Sequence, residues 1–274
     1  MEKPTTLLCR LCSGQAKLKF SLTLLQKYPV GYYECLTCES LQTEEPFWLQ
    51  EAYQHSLSIL DTGAAARVLF YAARISFYAQ FFSLKNILDF GGGDGLLCRL
   101  LRDKEWNCYV KDKYAHPIYA QTFTEPNFEK PDLLLAFEVL EHMPQPKQEL
   151  GALFQRNPDF FIFSTETYSK GQGESWHYLA PETGQHVFFY SLKALKQLAK
   201  EKGYNFEAAG GYFIFSKRKI SFFQKFCLWL AFKFLWDKRT YFVKKEFPSG
   251  PWKDQDAIRA SLKKDQKSTA EKLR

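Results

Sequence analysis

Much of what would classify a 274-residue chain quickly is missing here. There is no internal repeat and no low-complexity tract, so neither a solenoid nor a compositionally disordered chain is expected. Positive charge is also scarce over most of the length. The whole chain carries +7, but residues 217–274 hold sixteen Lys/Arg against six Asp/Glu, which leaves residues 1–216 at about −3. A nucleic-acid face needs Lys/Arg beside the site, and the first 216 residues offer no such surplus. The longest apolar stretch, Ile220 to Trp236, is interrupted by Gln224, Lys225 and Lys233. It is too short and too charged to span a bilayer comfortably. No signal peptide precedes the first cysteines, so a cytoplasmic chain without a disulfide framework is expected.

What is present starts with Ile87-Leu88-Asp89-Phe90-Gly91-Gly92-Gly93-Asp94-Gly95, followed by Leu96 and Leu97. An apolar strand ends near an acid, turns on alternating glycines and opens a helix. Glycines at 91, 93 and 95 permit a tight turn and keep side chains out of the space between main chain and ligand. The free N–H groups of the next helix then favour an anionic group. The Gly-Lys-Ser/Thr of a P-loop is absent, and Leu96 stands where a dinucleotide fingerprint needs its last glycine. The pattern Asp-x-Gly-x-Gly-x-Gly resembles motif I of class I S-adenosylmethionine-dependent methyltransferases.

Further segments extend that resemblance over roughly 60–220. Asn107 to Asp112 reads as a second strand ending in an acid, placed to accept hydrogen bonds from ribose hydroxyls. Pro131 to His142 is an apolar strand running into Glu138-Val139-Leu140-Glu141-His142, which is similar to the fourth-strand segment of a subset of the superfamily. Pro158 to Glu166 is a candidate fifth strand. Tyr204 to Gly210 and Tyr212 to Lys219 read as a closing antiparallel pair. Between Asp112 and Pro131 the family has a helix and a third strand; here Tyr114 to Phe128, with Pro117 and Pro126, must supply both, and Glu125 and Glu129 are the nearby acids. The resemblance implies an α/β, doubly wound, seven-stranded Rossmann-like sheet. It also implies cofactor contacts at Asp89, Gly91, Gly93, Gly95, Asp112, Phe137 and Glu138.

Four of seven cysteines form Cys9-Arg10-Leu11-Cys12 and Cys35-Leu36-Thr37-Cys38. Two C-x-x-C knuckles at this separation read as a four-thiolate zinc site, and a coordination sphere closed by four cysteines is structural rather than catalytic. Lys17 to Leu25 and Val30 to Glu34 would form the two strands of its ribbon. Disulfides are the competing reading, but Cys98, Cys108 and Cys227 have no evident pairing. A nucleic-acid role for the ribbon lacks charge, since residues 1–45 hold five basic and five acidic side chains. Such a segment joined to this core is similar to the sugar C-methyltransferase group.

The expected organisation is a zinc ribbon over 1–45, a methyltransferase domain over 46–219 and a basic, aromatic helix and tail over 220–274. Helices are expected over Pro46 to Gln54 and Thr62 to Phe82, the second capped by Asp61 or Thr62 and packed on the sheet through Val68, Leu69, Ala72, Ile75, Tyr78, Ala79 and Phe82. The core and clefts should be aromatic, with 26 Phe and 15 Tyr.

Methyl transfer requires the acceptor to be held near attack distance and, for a weak acceptor, a base. Candidates follow the fourth and fifth strands: His142 and His186, then Glu166 and His177. The acceptor is expected to be a polar small molecule, a sugar or sugar-linked compound. A catalytically silent binding subunit, or an enzyme acting on RNA or protein, is the alternative. No nucleic-acid partner is expected. Residues 220–245 either lie on a membrane surface, at its inner face, with Phe222, Phe226, Trp229 and Leu230 sinking in, or pack on the core. Lys263 to Arg274 has too little apolar content to order itself.

Overall fold

The computed structural model describes residues 3–53, 62–209 and 211–233. They belong to two compact units, Met1–Ser56 with Ala79–Lys219, and Leu57–Tyr78 with Ile220–Arg274.

The first unit contains two sheets. The larger has six strands: β5 (Asn86–Phe90), β6 (Asn107–Lys111), β7 (Leu133–Phe137), β8 (Phe160–Ser164), β10 (Asn205–Ala209) and β11 (Tyr212–Ser216), in spatial order β10-β11-β8-β7-β5-β6. Pairs β5–β6, β5–β7 and β7–β8 are parallel, while β11 runs antiparallel to both β8 and β10. Strand β8, Phe-Phe-Ile-Phe-Ser, is buried throughout, and Leu133, Leu134, Leu135 and Ala136 of β7 are fully enclosed. Uninterrupted apolar runs of this kind belong to strands covered on both faces. The helices between these strands are α3 (Leu96–Arg102), α4 (Pro146–Gln155) and α5 (Leu192–Glu201). Ser191 caps α5 by accepting from the Ala194 N–H at 2.9 Å, as its position before an apolar helical repeat suggests.

The expected seventh strand is not among the described residues. Tyr114 to Phe128 holds no strand, and its backbone meets the β6 edge through one bond, Val110 N–H to the Phe123 carbonyl at 2.9 Å. Pro117 and Pro126 supply no N–H for a helix interior or a strand ladder. The edge is covered instead by side chains. Phe123 and Phe128 meet Tyr109 edge-on, and the Arg102 guanidinium lies 3.4 Å from the Phe123 ring centre.

The smaller sheet is the N-terminal ribbon, β1 (Thr6–Leu8), β2 (Gln15–Leu24), β3 (Tyr28–Cys35) and β4 (Leu41–Thr43), all antiparallel. Its fifth strand comes from far along the chain: β9 (Phe188–Phe189) pairs with β4. The ribbon and the larger sheet are therefore stitched together by one shared segment. Arg10, inside the first knuckle, reinforces the joint. Its guanidinium donates to the carbonyls of Val187 (2.6 Å), Pro144 (3.1 Å) and Thr43 (3.2 Å). Burial lowers its pKa to about 10.

The helix expected over Pro46 to Gln54 is a single turn, α1 (Leu49–Ala52), with Gln54 outside the described residues. The next is α2 (Ala64–Phe81). Of its expected apolar stripe, Ala72, Ile75, Tyr78 and Ala79 are buried, whereas Leu69 is exposed. Asp61 and the tail 263–274 lie outside the described residues. In the second unit, residues 222–233 are helical. Phe232 of this helix packs on Phe77 and Tyr78 of α2, with ring centres 5.6 and 5.3 Å apart. No described helix is long and apolar enough to cross a membrane.

Candidate active site

Strands β5, β6, β7 and β8 end along one edge, and the strand order reverses between β6 and β7 on either side of β5. Open α/β sheets bind ligands outside the strand carboxyl ends at such a switch point. The glycine turn sits there. Gly91, Gly93 and Gly95 all have positive φ (70°, 57° and 82°). They are not equivalent. A Cβ on Gly91 would collide with Val139, so that glycine seats the loop after β7; a Cβ on Gly93 would meet nothing within 4 Å. Gly93 therefore borders open space that the protein itself leaves unfilled, and Gly95 begins α3 in the left-handed conformation.

Asp112, just beyond β6, faces this turn. One carboxylate oxygen accepts the Gly93 N–H at 2.9 Å and the other accepts those of Tyr114 and Ala115, each at 2.8 Å. It fixes the turn while leaving further acceptor capacity, since a carboxylate has about four lone-pair sites. Asp89 lies beneath the turn rather than on its open side. It is 2% exposed, a Cβ on Gly92 would strike its carboxylate, and its Oδ2 has no hydrogen-bond partner. Burial, then the charges of Asp112 and Asp94, raise its pKa to about 7. Asp94 accepts the Leu96 N–H at 3.1 Å, so the start of α3 is partly satisfied from within the loop.

At the end of β7, Phe137 is half-buried and Glu138 takes a left-handed φ of 54°. A side chain without a β-branch tolerates this where it is anchored. Ser164 accepts the Glu138 N–H at 2.9 Å and donates its hydroxyl to the Glu138 carboxylate. Glu141 follows, fully buried. Its Oε1 accepts the Tyr178 hydroxyl at 2.6 Å, and Oε2 has no partner. Burial and the nearby Glu138 charge raise the Glu141 pKa to about 8, which favours its protonated form.

The structure brings His142 and His186 together, ring centres 4.8 Å apart and edge to face. His142 Nδ1 lies 3.2 Å from the Gln185 carbonyl and His186 Nδ1 lies 2.7 Å from the Tyr178 carbonyl. A carbonyl only accepts, so His186 Nδ1 carries the hydrogen and its Nε2 keeps the lone pair, whereas His142 Nδ1 has both the Gln185 carbonyl and the Tyr53 hydroxyl within reach and fits either tautomer. Burial lowers the two pKa values, to about 3 for His142 and about 4 for His186. Both rings are neutral near pH 7. Ligand atoms of Glu141, His142 and His186 lie within 4.8 Å of one another, a set that can exchange a proton or accept a cation. Glu166 and His177 are placed differently. They pair with each other at 2.9 Å on an exposed surface.

Two aromatic side chains join these halves, and sequence reasoning missed Tyr53. Tyr53 stacks on Tyr114 with centroids 4.0 Å apart and planes 8° from parallel, and its hydroxyl lies 3.0 Å from His142 Nδ1. A chain of contacts thus runs from Asp112 through Tyr114 and Tyr53 to His142. Tyr178, beside His177 in the candidate segment after the fifth strand, holds both Glu141 and His186. Glu141 had a signal, being the second acid of Glu-Val-Leu-Glu-His; Tyr53 had none.

The four knuckle cysteines converge. Cys9 and Cys38 sulfurs are 3.7 Å apart, those of Cys12 and Cys35 are 3.5 Å apart, and all four lie within 4.8 Å of one another with no disulfide. A tetrahedron of sulfurs at about 2.3 Å from zinc has edges of about 3.8 Å. Backbone N–H groups of Thr37 and Cys38 point at Cys35 Sγ and that of Gly14 at Cys12 Sγ, each at 3.4 Å. Without a cation, burial pushes the Cys12 thiol up to about 11. The cluster fits a small zinc-binding segment. Ser191 ties it to the core, donating to the Cys38 carbonyl and accepting for α5.

A family model described as a methyltransferase domain matches residues 61–209, more than half of the sequence, and the chain belongs to that family. No curated protein matches the sequence. Similar solved structures include TnmH (16% identity, 62% of this chain and 60% of that one, TM-score 0.40). Human N-acetylserotonin methyltransferase in complex with SAM is another (13% identity, 64% and 60%, TM-score 0.43). A third is magnesium protoporphyrin IX methyltransferase from Synechocystis PCC 6803 with bound SAH (14% identity, 62% and 94%, TM-score 0.43). The matched part of this chain spans 60% of the length of the first two.

Proposed function

We propose that the chain is an S-adenosylmethionine-dependent methyltransferase acting on a polar small molecule, a sugar or sugar-linked acceptor. The observation that carries this reading is the unfilled space at Gly93 with Asp112 beside it. When bound, S-adenosylmethionine supplies an activated methyl on a cationic sulfonium. The protein's own task is then to hold and orient. Asp112 accepts a ligand hydroxyl with the one lone pair that its three backbone bonds leave free, and Gly91, Gly95, Phe137 and Glu138 shape the turn around it, with Asp89 supporting it from below. His186 with its Nε2 lone pair, and His142 with whichever nitrogen its tautomer leaves free, take the acceptor's proton, and burial beside the Glu138 charge favours the protonated form of Glu141. Glu166 and His177, exposed and paired, serve as a second choice of proton acceptor.

The ribbon acts by position. Cys9, Cys12, Cys35 and Cys38 hold zinc, which closes the knuckles; β4 then pairs with β9, two residues after His186. Sugar hydroxyls suit an edge built of carboxylates, histidines and tyrosines, and the net charge of about −3 over residues 1–216 disfavours an RNA substrate.

Methyl-labelled S-adenosylmethionine offered with sugar nucleotides, RNA and protein in separate reactions tests the reading. Label should enter the sugar fraction. Label confined to RNA or protein would contradict the acceptor class, and binding without transfer to any fraction would indicate a silent subunit.

A further inference from the structure

The second unit, taken by itself, combines exposed aromatic surface with a surplus of positive charge in its sequence, fifteen Lys/Arg against seven Asp/Glu. Its described residues, 62–78 and 220–233, include Arg67, Arg74, Lys225 and Lys233 and no Asp or Glu. The helix over 222–233 has two unlike sides. Phe232 is fixed on Phe77 and Tyr78, with the Arg74 guanidinium 4.7 Å from its ring centre, and Leu228 is buried. The other side carries Phe222, Phe223, Phe226, Trp229 and Leu230, which are 86, 72, 48, 55 and 39% exposed. At about 100° per residue these five fall within an arc of about 120°. Lys233 lies in the same arc, its Nζ 5.1 Å from the Trp229 ring centre, and exposed Lys225 borders it.

We propose that this face docks on an anionic lipid surface, with the five apolar side chains entering the headgroup–acyl boundary and the lysines meeting headgroup charge. Five contiguous large apolar side chains on one helix face are more than isolated surface exposure. The charge selects the occupant. A neutral hydrophobic groove would give Lys233 and the basic surplus of residues 220–274 no opposite charge, and a nucleic acid would leave Leu230 and the edge of the stripe without a hydrocarbon phase. An anionic leaflet satisfies both halves at once. By sequence, residues 220–274 hold thirteen Lys/Arg against six Asp/Glu, a surplus of the same sign. No helix needs to cross the bilayer for this. The proposal is independent of the methyl-transfer reading.

Flotation of the full chain with phosphatidylcholine vesicles, with or without about 30% phosphatidylserine, tests it. The chain should float with the anionic vesicles and be released when salt is raised from about 0.1 to 0.5 M. Each basic side chain near the leaflet strengthens binding about fivefold, so K225Q/K233Q should lose about 25-fold. F222S/F226S/W229S, altered only at exposed positions, should lose at least tenfold with its thermal unfolding unchanged. Flotation equal on neutral vesicles, absent from both, or unchanged in the triple variant would overturn the proposal. So would single-stranded RNA binding or self-association that depends on the same stripe in a chain that ignores vesicles.

Discussion

Gly93→Ala separates binding from folding more cleanly than any other change at the glycine turn. Gly93 has φ +57° and open space where its Cβ would stand. The folding cost is then the left-handed conformation alone, about 1–2 kcal/mol, or a few degrees in Tm for a domain of this size. The new methyl group projects into space reserved for the ligand, so S-adenosylhomocysteine affinity should fall at least tenfold, about 1.4 kcal/mol. Gly91→Ala should behave oppositely. Its Cβ would overlap Val139, and such overpacking adds about 1–3 kcal/mol to the same conformational cost. Thermal unfolding with and without S-adenosylhomocysteine, backed by calorimetric titration, reads both quantities. Wild-type affinity in Gly93→Ala would refute the assignment of that space to the ligand. Equal stability of the two variants would refute the distinction between them.

Other expectations follow from the same geometry. His142→Ala or His186→Ala should lower turnover by roughly 10²–10⁴ if the residue takes the acceptor's proton, with S-adenosylhomocysteine affinity nearly intact; full activity in both would remove them from that role. The purified chain should carry about one zinc, and Cys35→Ser should lose it and loosen the ribbon, which elemental analysis and limited proteolysis would show; metal-free, disulfide-linked fresh protein would oppose this. Asp89 has a folded pKa raised to about 7, so the native state holds the proton more tightly than the unfolded chain. The contribution of Asp89 to stability should then fall as pH rises from about 4 to 7, by up to about 1.4 kcal/mol per pH unit, beside the opposite contribution of His142 and His186. Urea unfolding at pH 5 and pH 8 should show Asp89→Asn flattening that dependence, and an unchanged slope would contradict it.

How far these features could be read in advance depended on how local their causes are. Motif I and the buried run of β7 are set by neighbouring residues, and each lies where its pattern placed it. So do the paired knuckles, because two C-x-x-C turns bring their own geometry. Features that need a distant partner were not legible. Phe188-Phe189 looks like core, and only pairing with Leu41 and Gln42 makes it the ribbon's fifth strand. The missing third strand left a warning in Pro117 and Pro126, but not the substitute, an edge capped by Phe123, Phe128 and Arg102. Tyr53 belongs to the site through a stack on Tyr114, far along the chain, which no periodicity announces. Asp112 was expected as a ligand acceptor; its second task, holding the Gly93 turn, appears only in three dimensions.

Calorimetric titration of the full chain with S-adenosylhomocysteine, beside Asp112→Ala, tests the central claim most directly. One binding site per chain is expected, weakened by about 1–3 kcal/mol when the charged acceptor is removed. No binding to the wild-type chain, or equal binding to both, would contradict the account.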